Sequence, residues 1–260
     1  MSDQIIPIAI SWVLYSIRET IGLTSVRNVI LKNKIDQLGE YDIKYGKTFS
    51  KGDTFEDIYD LINENTNNLI FTSNADIVSK FTGGQKKKTK KRKRNEELVE
   101  SHYVSFILDR VKMTVTIIDP SRKNGKMGIY NPYIGLHLES FLKKEGYNVK
   151  WLEMTSPCQI SYDDVFCQSW TLYLIFKYYE SEHYVSEYNN DNVIYIPKKQ
   201  DKKYKKLLDF FKELASYEIF RTELKISYNE NIKNHLDQKI LSTYDPCCLL
   251  LNMITEDMNV

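Results

Sequence analysis

An α+β fold, with a central apolar helix packed on a mixed sheet and helical additions at both ends, is what this sequence predicts. Three observations carry that expectation. Residues 103–108 (Tyr-Val-Ser-Phe-Ile-Leu) and 113–118 (Met-Thr-Val-Thr-Ile-Ile) are rich in β-branched and aromatic side chains, and Thr114 and Thr116 alternate against Val115 and Ile117; both read as strands. The stretch from Phe166 to Phe176 is apolar with little polar relief, the pattern of a helix buried on most sides. Helical periodicity marks the flanks, at residues 5–22 and 198–220. A chain of 260 residues with 42% apolar residues is long enough to bury a sizeable core.

In chain order, residues 5–22 form the first predicted helix. The segment is apolar but short and carries Pro7, so it reads as a buried helix and not a membrane span. Residues 54–63 and 74–81 read as short helices flanking Leu69-Ile70-Phe71. The stretch 1–84 is thus expected to be a helical N-terminal region, and 85–97 a basic, disordered linker. The core is expected over 98–197, with the two strands, a helix at 135–145 and a strand at 148–154 that holds Trp151 and Leu152. Ser161-Tyr162-Asp163-Asp164 reads as the start of the apolar helix, with the Asp residues as candidate N-caps. Residues 198–260 are expected to be a helical part of the same domain. The helix at 198–220 has Leu207, Leu208, Phe211, Leu214 and Ala215 as its apolar face and a lysine-rich, solvated start. Two more helices are expected at 229–241 and 247–253. The sequence has no internal repeat.

The candidate site follows from the two strands. Asp109-Arg110-Val111-Lys112 is short enough for a hairpin loop. In that hairpin His102 precedes the first strand and Asp119 follows the second. Antiparallel pairing brings them to one strand spacing, roughly 5 Å, close enough for a carboxylate to orient an imidazole. Cys167 falls in the first turn of the apolar helix, where the helix dipole and main-chain N–H groups stabilise a thiolate. Gln159, eight residues upstream, can point its amide at a developing oxyanion, with the main-chain N–H of Cys167 as a second donor.

His102-Tyr103, then Ile118-Asp119-Pro120-Ser121, then Gln159, then Phe166-Cys167-Gln168-Ser169-Trp170 resembles the adenain-type and SUMO-protease-like cysteine peptidases. The look is that of the virion-maturation proteases of large DNA viruses, of the African swine fever virus polyprotein-protease type. The resemblance covers roughly residues 101–179. Tyr103 stands where many relatives have Trp, and the Gln-to-Cys spacing is slightly longer than in the cellular SUMO proteases. The resemblance implies a papain-like core, His102 as base, Asp119 as the residue that orients it, Gln159 in the oxyanion hole and Cys167 as nucleophile. It also implies cleavage after Gly-Gly-type sites in viral structural proteins, in the virion or the viral factory of the host cytoplasm. That chemistry requires no metal and no organic cofactor.

Plainer readings use the same residues. A cysteine in an apolar run serves equally as a small buried hydrophobe, Asp-Pro-Ser makes a turn, and Gln159 would suit an exposed loop. Cys158 lacks the flanking pattern of Cys167; Cys247 and Cys248 read as core, and His137, His183 and His235 as structural or exposed. No Cys/His set has zinc-site spacing. A formal net charge of +1 exerts no global pull toward nucleic acid or membrane, and four cysteines suit a reducing setting. The N-terminus carries no secretory signal pattern.

Locally the charge is uneven. Lys86, Lys87, Lys88, Lys90, Lys91, Arg92, Lys93 and Arg94 place eight cations in nine residues. Such a block reads as a solvated linker, a binder of viral DNA or RNA phosphates, or a nuclear-import signal. Just before it, Gly83-Gly84-Gln85 reads as a flexible hinge or as a self-cleavage site. Two further functions stay open: a deconjugating isopeptidase for ubiquitin-like modifiers, and an inactive peptidase fold that binds nucleic acid through residues 86–94.

Overall fold

The computed structural model describes residues 5–38, 43–49, 55–63, 68–74, 102–122, 133–160, 164–185 and 193–233. The chain divides into two compact units: residues 41–167 with 191–194, and residues 1–40, 168–190 and 195–260.

The first unit is built on a five-stranded sheet in sequential order: β1 (Ile43–Phe49), β2 (Asn68–Asn74), β3 (Tyr103–Asp109), β4 (Thr114–Ile118) and β5 (Asn148–Trp151). β1 and β2 are parallel and joined through the helix Phe55–Asn63. β2, β3 and β4 are antiparallel neighbours. β4 and β5 are parallel and joined through the helix Tyr133–Lys144. Each parallel pair therefore has the helical crossover that parallel strands need, and the short connection is the one between β3 and β4. Numbered in chain order, these two helices are α3 and α4.

Alternation on the strands builds the core. Val104, Phe106 and Leu108 of β3 and Val115 and Ile117 of β4 join Leu69 and Phe71 of β2, Leu61 and Ile62 of α3 and Leu142 of α4 in one buried cluster. Phe71 and Phe106 are paired residues across β2 and β3, and their rings stack at 4.8 Å. Burying one such side chain contributes about 1.5–3 kcal/mol. The opposite-facing residues Ser105, Ile107, Thr116 and Ile118 are buried too. The hairpin between β3 and β4 sits in the middle of the sheet with both faces covered, which is a stiff base for residues at its ends.

The predicted start of the second strand moves by one residue. Met113 adopts φ 50°, in the left-handed region, as part of the turn, and its N–H donates to the Arg110 oxygen at 3.4 Å. The strand begins at Thr114. The α4 helix ends on Gly146 at φ 88°, with Tyr147 N–H donating to Leu142 O and Gly146 N–H to Lys143 O. That is a Schellman end, which a glycine without Cβ permits.

The second unit is helical: α1 (Ile5–Gly22), α2 (Thr24–Asp36), α5 (Cys167–Val185, from Gln168 onward), α6 (Gln200–Leu214) and α7 (Glu218–Lys233). In α6, Leu207, Phe210, Phe211 and Leu214 recur at the spacing of one helix face and are all buried. Phe210 meets the rings of Tyr173 and Phe176 of α5 edge-on, each at 5.5 Å. Lys34 of α2 bridges Glu180 of α5 and Glu213 of α6 at 3.1 and 2.6 Å. Two Arg side chains seal helix ends. Arg27 donates to the Ile21 and Gly22 oxygens at the end of α1, and Arg221 donates to the Ala215 and Ser216 oxygens after α6.

The α+β class with a mixed sheet and flanking helices stands as expected, and four differences are informative. The stretch 1–84 is not wholly helical: β1 and β2 belong to the sheet. Asn74, the first residue of a predicted helix, ends β2; residues 75–81 lie outside the described residues. The predicted helix 198–220 is two helices broken at Ala215–Tyr217, where Ser216 Oγ donates to Glu213 O and Arg221 caps the carbonyls. Its buried face includes Phe210 in place of Leu208, and Lys203 of the expected solvated start is fully buried. Finally, only the first residue of α5, Cys167, groups with the sheet unit. The predicted helix 247–253 and residues 234–241 lie outside the described residues. Among the described residues no helix is long and apolar enough to cross a membrane.

Candidate functional site

The hairpin delivers the pair it predicts. His102 immediately precedes β3 and Asp119 immediately follows β4, and the register Ser105 to Ile118 sets these ends side by side. His102 Nε2 lies 2.7 Å from Asp119 Oδ1, with the two side chains 1% and 0% exposed. The same oxygen accepts the Ser121 main-chain N–H and the Ser121 hydroxyl, both at 2.8 Å. Three donors thus converge on one carboxylate oxygen inside the protein. They fix the carboxylate, and it fixes the ring. Asp119 Oδ2 is buried and has no hydrogen-bond partner among the described residues.

Ser121 was invisible in the sequence except as part of a turn, yet it holds the acid in place. Ser121→Ala is expected to lower stability in urea unfolding at neutral pH by about 1–3 kcal/mol, because a buried charged group loses a donor. An unchanged unfolding midpoint would show that the hydroxyl contributes nothing.

Cys167 is the first residue of α5 and is 8% exposed. Its sulfur is near enough to the His102 ring to act on the charge of that ring. Burial alone pushes the imidazole below its ordinary 6.5. The hydrogen bonds and charges of Asp119 and Cys167 outweigh it and raise the ring to about 9. A ring held in its charged form is a donor at both nitrogens, and its Nε2 is engaged by the carboxylate.

Gln159 is 1% exposed and tied at two points. Its main-chain N–H and that of Cys158 both donate to the Pro120 oxygen, at 3.0 and 2.8 Å. Its side-chain Nε2 donates to the Asp164 main-chain oxygen at 2.6 Å. Asp164 Oδ1 in turn accepts the Phe166 N–H at 3.0 Å. The predicted Asp N-cap is corrected here. The helix starts at Cys167, so Asp164 bonds the residue before the helix, and Asp163 lies outside the described residues.

These contacts close on themselves. His102 binds Asp119; the next residue, Pro120, holds Gln159; Gln159 holds Asp164; Asp164 holds Phe166; the next residue, Cys167, returns to His102. His102 and Asp119 are directly hydrogen-bonded, and Cys167 acts on the same ring. Gln159 is joined to them through the acid loop and through the segment that leads into α5.

Beside the acid loop, the Arg122 guanidinium lies 3.6 Å from the centre of the Trp151 ring. The Trp151 indole N–H donates to Glu139, which also pairs with Lys143. Cys158 is fully buried with its sulfur 3.8 Å from that of Met154. Among the described residues no group of His, Cys, Asp or Glu could hold a metal ion. Gly83, Gly84 and the cations at 86–94 lie outside the described residues, as do His235, Cys247 and Cys248.

Sequence reasoning missed Ser121 and the two-sided role of Asp164. The available signals were short polar residues at turn positions, which bond to nearby main chain by preference. No family model matches the chain, and no curated protein matches it in sequence.

Proposed function

We propose that this chain is a cysteine endopeptidase with a papain-like, adenain-type core. The observation that carries the chemistry is the buried His102 ring, hydrogen-bonded to Asp119 and held toward its charged form by Asp119 and by Cys167 at the head of α5.

In this reading His102 takes the Cys167 proton and holds it as the imidazolium, oriented by Asp119. The thiolate attacks the scissile carbonyl carbon, and the carbonyl electron pair moves to oxygen. Gln159 Nε2 and the Cys167 N–H receive that oxyanion; an N–H at a helix start has no intrahelical acceptor, which suits it to the task. As the C–N bond breaks, the His102 proton goes to the leaving amine. Water, deprotonated by His102, then hydrolyses the acyl-enzyme and releases the thiolate. The substrate class comes from the resemblance: Gly-Gly-type sites, in viral structural proteins processed during virion maturation.

The test is labelling with an electrophilic Gly-Gly peptide probe. Folded wild type is expected to react at Cys167, and His102→Ala to react at least about 10²-fold more slowly. A folded wild type that does not react would sink the peptidase reading and favour an inactive fold. Reaction only with a probe fused to a whole ubiquitin-like modifier would turn the reading to a deconjugase.

A further inference from the structure

We infer that Asp164 is a positioning residue for the oxyanion donor Gln159, an inference that rests on the peptidase reading. A glutamine amide has two N–H hydrogens and a carbonyl. In Gln159 one hydrogen is engaged by the Asp164 main-chain oxygen at 2.6 Å. That contact also identifies the two ends of the amide, since only the nitrogen can donate to a carbonyl oxygen. The second N–H is thereby held in one direction.

The carbonyl that does this is itself held by its own residue's side chain. Asp164 Oδ1 accepts the Phe166 N–H two residues on, at 3.0 Å. This is an Asx turn, a side chain standing in for main chain to fix a local bend. The bend sets the direction of the Asp164 carbonyl toward Gln159, and the same bond delivers the chain into Cys167. Both Asp164 and Gln159 are 1% exposed, so water does not compete for either contact. One residue therefore aligns the amide donor with its main-chain oxygen and the entry to the nucleophile helix with its carboxylate. What the turn needs is an acceptor oxygen at this position, and asparagine supplies one.

The discriminating experiment separates a reaction that uses the oxyanion site from one that does not. Hydrolysis of a fluorogenic Gly-Gly peptide passes through an oxyanion; alkylation of Cys167 by iodoacetamide, located by mass spectrometry, does not. Asp164→Ala is expected to lower kcat by about 10²-fold, to change KM little, and to leave Cys167 alkylation within about threefold of wild type. Asp164→Asn is expected to retain kcat within about threefold, because the acceptor is kept. In a Gln159→Ala background, Asp164→Ala is expected to add almost nothing, the signature of one residue acting through the other. If Asp164→Ala does not fold, Asp164→Leu, which removes the acceptor at similar size, takes its place in the same comparisons.

Wild-type kcat in Asp164→Ala overturns the inference. So does a parallel loss of hydrolysis and alkylation, which would mark a purely structural role, or full additivity with Gln159→Ala. A wild type that alkylates at Cys167 but hydrolyses no peptide overturns the peptidase reading itself, and this inference with it.

Discussion

Cys167→Ala is expected to abolish hydrolysis of a Gly-Gly peptide, a loss of about 10⁴-fold or more, while leaving the protein folded. The size follows from the role. Without the sulfur there is no covalent intermediate, and the remaining groups can only polarise the carbonyl. The fold is spared because a single sulfur atom is removed from a helix start that Asp164 still holds through Phe166. Cys158→Ala is the control built into the same protein. Cys158 is the other free cysteine among the described residues, fully buried against Met154, and its replacement is expected to leave kcat within a few-fold of wild type. Steady-state kinetics on the two purified variants check both statements. Activity that survives in Cys167→Ala, or that vanishes only in Cys158→Ala, would assign the nucleophile wrongly here.

The second large effect concerns pH. His102 is raised from 6.5 to about 9 in the folded chain, by Asp119 and Cys167 working against burial. Its folded value lies above its unfolded value, so the folded state binds the extra proton between roughly pH 6.5 and 9. The stability this contributes is fully present below 6.5 and is lost as pH rises through about 9. A gap of that size corresponds to roughly 3 kcal/mol. Asp119→Asn removes the negative charge and keeps the shape. Burial then acts on the ring with less opposition, and the protonated form is lost at lower pH. Urea midpoints for wild type are expected to fall across that window, and the midpoints of Asp119→Asn to fall much less. In hydrolysis, the alkaline limb of wild type is expected near pH 9. In Asp119→Asn it moves to lower pH, with kcat reduced about 10²-fold at neutral pH, since the imidazolium that protonates the leaving amine is scarcer. Identical alkaline limbs in the two proteins would mean that the carboxylate does not set the charge of the ring.

What was legible in the sequence was what strand alternation controls. Tyr103–Asp109 and Thr114–Ile118 were readable as a pair because both faces carry apolar residues and the loop is short. From that pairing alone, the meeting of His102 and Asp119 followed across 17 residues of sequence. The first turn of α5 was legible because the apolar run begins there. β1 was not: Ile43–Phe49 contains Lys44, Gly46 and Lys47, and its pairing with β2 shifts register between Tyr45 and Thr48, so no clean alternation exists to read. The split of α6 from α7 was hidden for another reason. Ser216 is a permissible helix residue, and what ends the helix is Arg221 reaching back to the Ala215 and Ser216 carbonyls. That contact has no periodic signature. Within the site, His102, Asp119 and Cys167 announced themselves by type, whereas Ser121 and Asp164 act through short-range bonds that many Ser and Asp residues make in any turn.

The link between the acid loop and the amide donor is made by a main-chain oxygen, that of Pro120, receiving main-chain N–H groups from Cys158 and Gln159. Every residue type has that oxygen, and every type but proline has that N–H. An alanine scan would therefore register His102, Asp119, Gln159, Asp164 and Cys167 and pass silently over Pro120 and Cys158, although the assembly depends on both positions. The silent link becomes visible only to a change of the backbone itself. Proline at residue 158 or 159 removes the donor, and an ester in place of the amide removes it without altering any side chain.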